Sequence, residues 1–123
     1  LARVRIAADP ELLARAVRNL LANARRHAGA AGRVALSASA SAGRVTVAVD
    51  DDGPGIPAAE RERVFERFHR VGTARNRDSG GSGLGLAISR EIVVAHGGRI
   101  WAEGSELGGA RVAFELPGFA PRT

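Results

Sequence analysis

The chain has 123 residues, room for one compact domain that buries roughly two-thirds of the surface its unfolded chain exposes. Its 45% hydrophobic content is that of a globular domain rather than a disordered tail, and its net charge of +5 comes from 18 basic residues, every one of them arginine, against 13 acidic ones. The absence of lysine and cysteine excludes Walker A, protein-kinase lysine, Schiff-base, thiol-nucleophile, disulfide and zinc-thiolate chemistry.

Asp9-Pro10 is a helix start, an N-cap acceptor followed by proline at the first helical position. Leu13, Val17, Leu20 and Ala24 then recur at steps of three and four, so the spacing predicts a helix from about Pro10 to His27, stopped by Gly29 to Gly32. Val34, Leu36 and Ala38, then Val45, Val47 and Val49, alternate with polar or small residues around Ser41-Ala42-Gly43, the pattern of an antiparallel hairpin. Asp50 to Pro57 is a loop by composition, and Ala58 to Phe68, with Val64, Phe65 and Phe68 on one side, is expected to form a short helix. His69 to Ser82 offers almost no large apolar side chain and is expected to be a mobile lid. A second long helix begins near Gly83, carries Leu84, Ile88, Ile92 and Ala95 on one face, and stops at Gly97-Gly98. Two strands, Arg99 to Glu103 and Ala110 to Leu116, complete the order, joined by a glycine-rich turn and ended by Pro117. Without a regular βαβ repeat, the alternation predicts an α/β (α+β) sheet with its helices on one face. No repeat is visible and no apolar run nears the ~20 residues of a membrane span. Opening on Leu1 with no methionine anywhere, the chain reads as a piece of something longer.

Three segments carry chemistry-bearing residues. Asn19 and Asn23 lie four apart, so they share a helix face that Arg26 and His27 continue; an amide oxygen there suits Mg²⁺, although spaced polar residues also mark a plain solvated face. Asp51-Asp52-Gly53-Pro54-Gly55-Ile56-Pro57 follows a strand, and a carboxylate held among glycines can accept from an amino group on a base, although a simple turn has the same composition. An EF-hand is disfavoured because the twelfth position from Asp50 is Arg61. Gly80-Gly81-Ser82-Gly83-Leu84-Gly85-Leu86 leads into the second long helix, where free N–H groups and the positive helix end suit phosphates; a flexible linker reads the same way.

Taken in order, these segments resemble the N, G1, F and G2 boxes of the ATP-binding catalytic domain of bacterial sensor histidine kinases, in the GHKL superfamily. The match covers most of the chain, read as one domain over residues 1–123, with the N box at 19–27, G1 at 51–55, F at 65–68, the lid at 69–82 and G2 at 81–86. The resemblance implies the Bergerat fold, a two-layer sandwich of a mixed or antiparallel sheet with helices on one face, ATP lying between the helices and the lid. It implies that Asp51 binds the adenine amino group and that Asn23 holds Mg²⁺. Asn19 stands beside Asn23, with Arg26 and Arg70 near the phosphates. It also carries over His27, Gly53, Gly55, Ile56 and Phe68 as nucleotide contacts, and Gly81, Ser82, Gly83, Leu84, Gly85 and Leu86 as the segment closing on the phosphates.

Hydrolytic members of the superfamily carry a glutamate four residues before the Mg²⁺ asparagine, to activate water; here that position is Asn19, and an amide is no general base at neutral pH. The expectation is therefore a kinase module with slow ATP hydrolysis. Its γ-phosphate would go to a histidine on a separate dimerisation and phosphotransfer domain, and onward to a response regulator. His27, His69 and His96 are in the wrong contexts to be that acceptor. Ala110 stands where many relatives carry threonine, which removes one hydroxyl near the adenine. The alternative is a nucleotide-binding regulatory module without transfer. Nucleic-acid binding has only the charge behind it, and no stacking motif. The domain alone is expected to be monomeric, and cytoplasmic as part of a membrane-anchored kinase.

Overall fold

A computed structural model describes residues 6–29, 31–67 and 84–118. Helix α1 spans Pro10–His27; Asp9 caps it, its carboxylate accepting the N–H groups of Glu11 and Leu12 at 2.9 and 3.2 Å. Glu11 in the first turn and Arg25, Arg26 and His27 in the last complement the helix dipole. Strands β1 (Val34–Ser41) and β2 (Arg44–Asp51) form the expected hairpin, in the register Val47 opposite Ala38 and Val49 opposite Leu36. Helix α2 spans Gly85–Ala95, and β3 (Arg99–Gly104) and β4 (Ala110–Pro117) follow. The N–H groups of Gly97 and Gly98 turn back to the carbonyls of Val94 and Val93, both at 3.0 Å, and close α2.

The four strands pair antiparallel in the order β1-β2-β4-β3. One face of the sheet presents Val47 and Val49 from β2, Val112, Phe114 and Leu116 from β4, and Ile100 and Ala102 from β3. Leu20 and Ala24 of α1 and Val93 of α2 close the core over it. The helices touch through small residues, with Ala16 and Ser89 fully buried and the Ser89 hydroxyl donating to the Ala16 carbonyl at 3.0 Å. The opposite face is a charge lattice in which Glu115 accepts from Arg44 and Arg99 at 2.9 and 2.8 Å, and Arg99 lies over the Trp101 ring, 4.4 Å from its centre. Those two guanidinium groups, Arg99 first through its hydrogen bond, hold the Glu115 carboxyl below its ordinary range.

One expectation is corrected. The segment from Ala58 is no α-helix but two 3₁₀ turns, Ala58–Glu60 and Arg63–Phe65. Pro57 before it and extended backbone at Glu66 leave too few residues to propagate an α-helix. Strand β1 is at the sheet edge, which leaves Leu36 53% exposed. Phe68, Arg70, the lid at 69–82 and Gly81, Ser82 and Gly83 lie outside the described residues. No helix among the described residues is long and apolar enough to cross a membrane.

Phe114 is fully buried at the centre of the core. Phe114→Ala is expected to cost about 3–5 kcal/mol of unfolding free energy, read as a fall in the urea midpoint at unchanged slope.

Candidate functional site

The site forms where the end of β2, the C-terminal half of α1 and the N-terminus of α2 meet. Asp51 is the last residue of β2, only 3% exposed. Its Oδ1 accepts two backbone N–H groups, from Gly53 at 2.9 Å and Ala110 at 3.1 Å, and its carbonyl accepts from Gly109 at 3.1 Å. Among the described residues nothing donates to Oδ2. The carboxylate is thus fixed by one oxygen and offers the other.

Glycine is needed around it for space. A Cβ at Gly109 would fall on Asp51 Oδ1, and one at Gly53 would fall on the His27 carbonyl. The loop after Asp51 is consequently pressed against the end of α1. Asp52 fastens the same junction, its Oδ1 accepting the Gly29 N–H at 2.8 Å while its own N–H donates to the Arg33 carbonyl at 3.2 Å.

Asn19 and Asn23 are both half-buried on α1, one turn apart. The Asn19 Nδ2 is buried with no hydrogen-bond partner, and an orphaned amide donor costs on the order of 1–3 kcal/mol unless a ligand supplies an acceptor. Its side chain faces the start of α2; a Cβ on Gly85 would sit 3.8 Å from that of Asn19. Among the described residues no side chain caps α2 there, so its first N–H groups and positive end favour an anion beside the Asn19 amide. Among the described residues no cluster of three or more His, Cys, Asp or Glu stands ready for a metal. Mg²⁺ takes one or two protein oxygens and keeps water and phosphate for the rest, and the Asn23 amide oxygen is a donor of that kind.

Arg26 and His27 end α1 on the same side, while Gly55 lies against the Gly109 carbonyl. Ile56 and Leu86 are partly buried and pack on the core, as does Phe65 of the F box, and Leu84 and Gly85 open α2. Asp52 with Gly29, and the turn from Ser105 to Gly109 that meets Asp51, were not read from the sequence as parts of the site. Only the glycine pair Gly108-Gly109 signalled the second of these.

The surrounding protein, and next the Arg26 charge, lower the His27 imidazole below its ordinary value of 6.5, with Asp51 partly opposing them. A depressed folded-state value means that the unfolded chain takes up the proton first, so this term is absent above pH 6.5 and lowers stability as pH falls below it. His27→Gln is expected to flatten that part of the acid limb in denaturation measured between about pH 5 and pH 8.

Residues 8–119 match the family of histidine kinase-, DNA gyrase B- and HSP90-like ATPases. Sensor protein RstB of Escherichia coli is 46% identical over 111 residues, 90% of this chain and 25% of that protein. Among solved structures, the mycobacterial sensor histidine kinase MprB superposes with a TM-score of 0.84 at 37% identity, over 97% of this chain and 80% of that one. The ATP-binding domain of PrrB from Mycobacterium tuberculosis gives 0.74 at 42%, over 94% and 73%. The chain spans from 18% to 27% of the length of the curated relatives it matches. By motif order, sheet topology and these likenesses, the chain belongs to the histidine kinase-, DNA gyrase B- and HSP90-like ATPase family, with sensor histidine kinases as its relatives.

Proposed function

We propose that this domain binds Mg-ATP and, within a longer sensor kinase, passes the γ-phosphate to a histidine on a separate dimerisation and phosphotransfer domain, from which a response regulator receives it. One observation carries the reading of the pocket. Asp51 is a buried carboxylate whose Oδ1 is saturated by two backbone N–H groups while Oδ2 accepts from nothing among the described residues. Such a fixed acceptor suits the exocyclic amino group of adenine. The relatives RstB and MprB are a sensor protein and a sensor histidine kinase, and the solved part of PrrB is an ATP-binding domain.

The residues divide the work by chemistry. Asp51 orients the base, and Asn19 Nδ2, the α2 N-terminus and Arg26 bind phosphate oxygens, with His27 beside them. Asn23 supplies its amide oxygen to Mg²⁺, which when bound neutralises phosphate charge. Phosphoryl transfer depends on positioning and charge neutralisation, so no nucleophile is required of this domain. Asn19 also withholds the general base that would activate water, which protects the bound ATP for transfer. Arg70, Phe68, Gly81, Ser82 and Gly83 join by family likeness.

Calorimetric titration with a nonhydrolysable ATP analogue, with and without Mg²⁺, tests the pocket. Asp51→Asn is expected to weaken binding by about ten- to a hundredfold, the worth of one lost buried hydrogen bond of about 1–3 kcal/mol. Asn23→Ala is expected to abolish the gain from Mg²⁺. Undiminished binding by Asp51→Asn would refute the assignment.

A further inference from the structure

Asp50 and Asp51 are neighbours on β2, so their side chains leave the sheet on opposite faces. Asp51 turns into the pocket. Asp50 turns to the far face, beside its cross-strand partner Arg111. Both residues nevertheless hold the same piece of chain, the turn between β3 and β4 with its junction to β4. From the pocket side, the Asp51 carbonyl takes the Gly109 N–H and its Oδ1 takes the Ala110 N–H, each at 3.1 Å. From the far side, Asp50 Oδ1 accepts the Ser105 hydroxyl at 2.7 Å and Oδ2 accepts from Arg111 Nη1 at 3.3 Å. The Ser105 oxygen in turn accepts the Leu107 N–H at 3.1 Å. The turn closes on itself through the Ser105 N–H to the Gly109 carbonyl at 2.9 Å and the Gly108 N–H to the Ser105 carbonyl at 3.0 Å. Asp50 is only 8% exposed on a face otherwise rich in exposed charge, and a carboxylate bears that desolvation only while its partners hold.

We infer that Asp50, acting through Ser105, is a positioning residue for base recognition. It clamps the β3–β4 turn from behind, which keeps the Ala110 N–H on Asp51 Oδ1 and so reserves Oδ2 for the amino group of the base. The inference rests on reading the pocket as an ATP site. Its physical content is preorganisation: with the turn released, Asp51 gains rotational freedom and the contact to the base must restore the order the clamp now supplies. Selectivity for an amino-bearing base is thereby set partly by two side chains that no nucleotide touches.

The test titrates wild type, Ser105→Ala, Asp50→Ala and Ser105→Thr with a nonhydrolysable ATP analogue and with the matching inosine analogue, which carries a carbonyl in place of the amino group. Ser105→Ala and Asp50→Ala are expected to lose about three- to tenfold in affinity for the adenine analogue, the worth of one net hydrogen bond, and little for the inosine analogue. Ser105→Thr, which keeps the hydroxyl, is expected to retain the wild-type ratio. In the same variants the Ala110 amide is expected to exchange its hydrogen faster, a readout that needs no ligand. Ser105→Ala alters only one hydroxyl in a half-exposed turn, so it reads the clamp even if Asp50→Ala fails to fold. Equal losses for both nucleotides, an unchanged adenine affinity or an unchanged Ala110 exchange rate would each overturn the inference while leaving the pocket intact. A wild-type domain that binds neither nucleotide would overturn the reading of the pocket itself, and the inference with it.

Discussion

The arrangement turns on a buried carboxylate with which no cation pairs among the described residues. Asp51 lies at the end of a central strand, nearly out of water, where a carboxylate is tolerated only when it is hydrogen-bonded. Among the described residues backbone N–H groups alone supply this, two to Oδ1, and these impose conditions on everything nearby. Gly109 and Gly53 must be glycine because the chain comes too close for a Cβ. The β3–β4 turn must sit against β2, and the end of α1 must sit against the loop after it. Because those donors are main-chain groups, the site is built from the register of the sheet rather than from a cluster of charged side chains.

The helices meet the same requirement from the other side. Asn19 can face Gly85 only because α1 and α2 approach closely, and that approach depends on Ala16 and Ser89 at their contact, with Ser89 bonded to the Ala16 carbonyl. At the far end of this helix pair, the Asp9 N–H donates to His96 Nε2 at 3.1 Å and His96 Nδ1 lies 2.7 Å from the Ile92 carbonyl. Nδ1 therefore carries the proton, and one neutral imidazole joins the start of α1 to the end of α2. With both ends of the pair fastened, the orphaned Asn19 amide and the uncapped α2 N-terminus face the same space.

Periodicity made the long elements legible: α1 was read at its true bounds, and the hairpin and the last two strands within one or two residues. The F-box segment was not, because apolar spacing at Val64, Phe65 and Phe68 shows which side chains go inward, not whether enough residues remain between Pro57 and Glu66 to propagate an α-helix. Within the site, Asp51, Asn19 and Asn23 stood out by residue type and spacing. Asp50, Ser105, Asp52 and Gly29 did not, because each matters through a contact 23 to 55 positions away along the chain, and such pairings appear only once the sheet register is known. Part of the chain's positive charge is structural, since arginines on the far face of the sheet pair with Glu115, Glu103 and Asp50.

Asp51 keeps one oxygen on the protein and, in the proposed ATP site, offers the other to a base. A structure of the domain with Mg²⁺ and a nonhydrolysable ATP analogue is the decisive measurement. The adenine amino group is expected within about 3 Å of Oδ2, with the Gly53 and Ala110 N–H groups still on Oδ1. A base seated away from Asp51, or an Asp51 that has released Ala110 to reach it, would refute this arrangement.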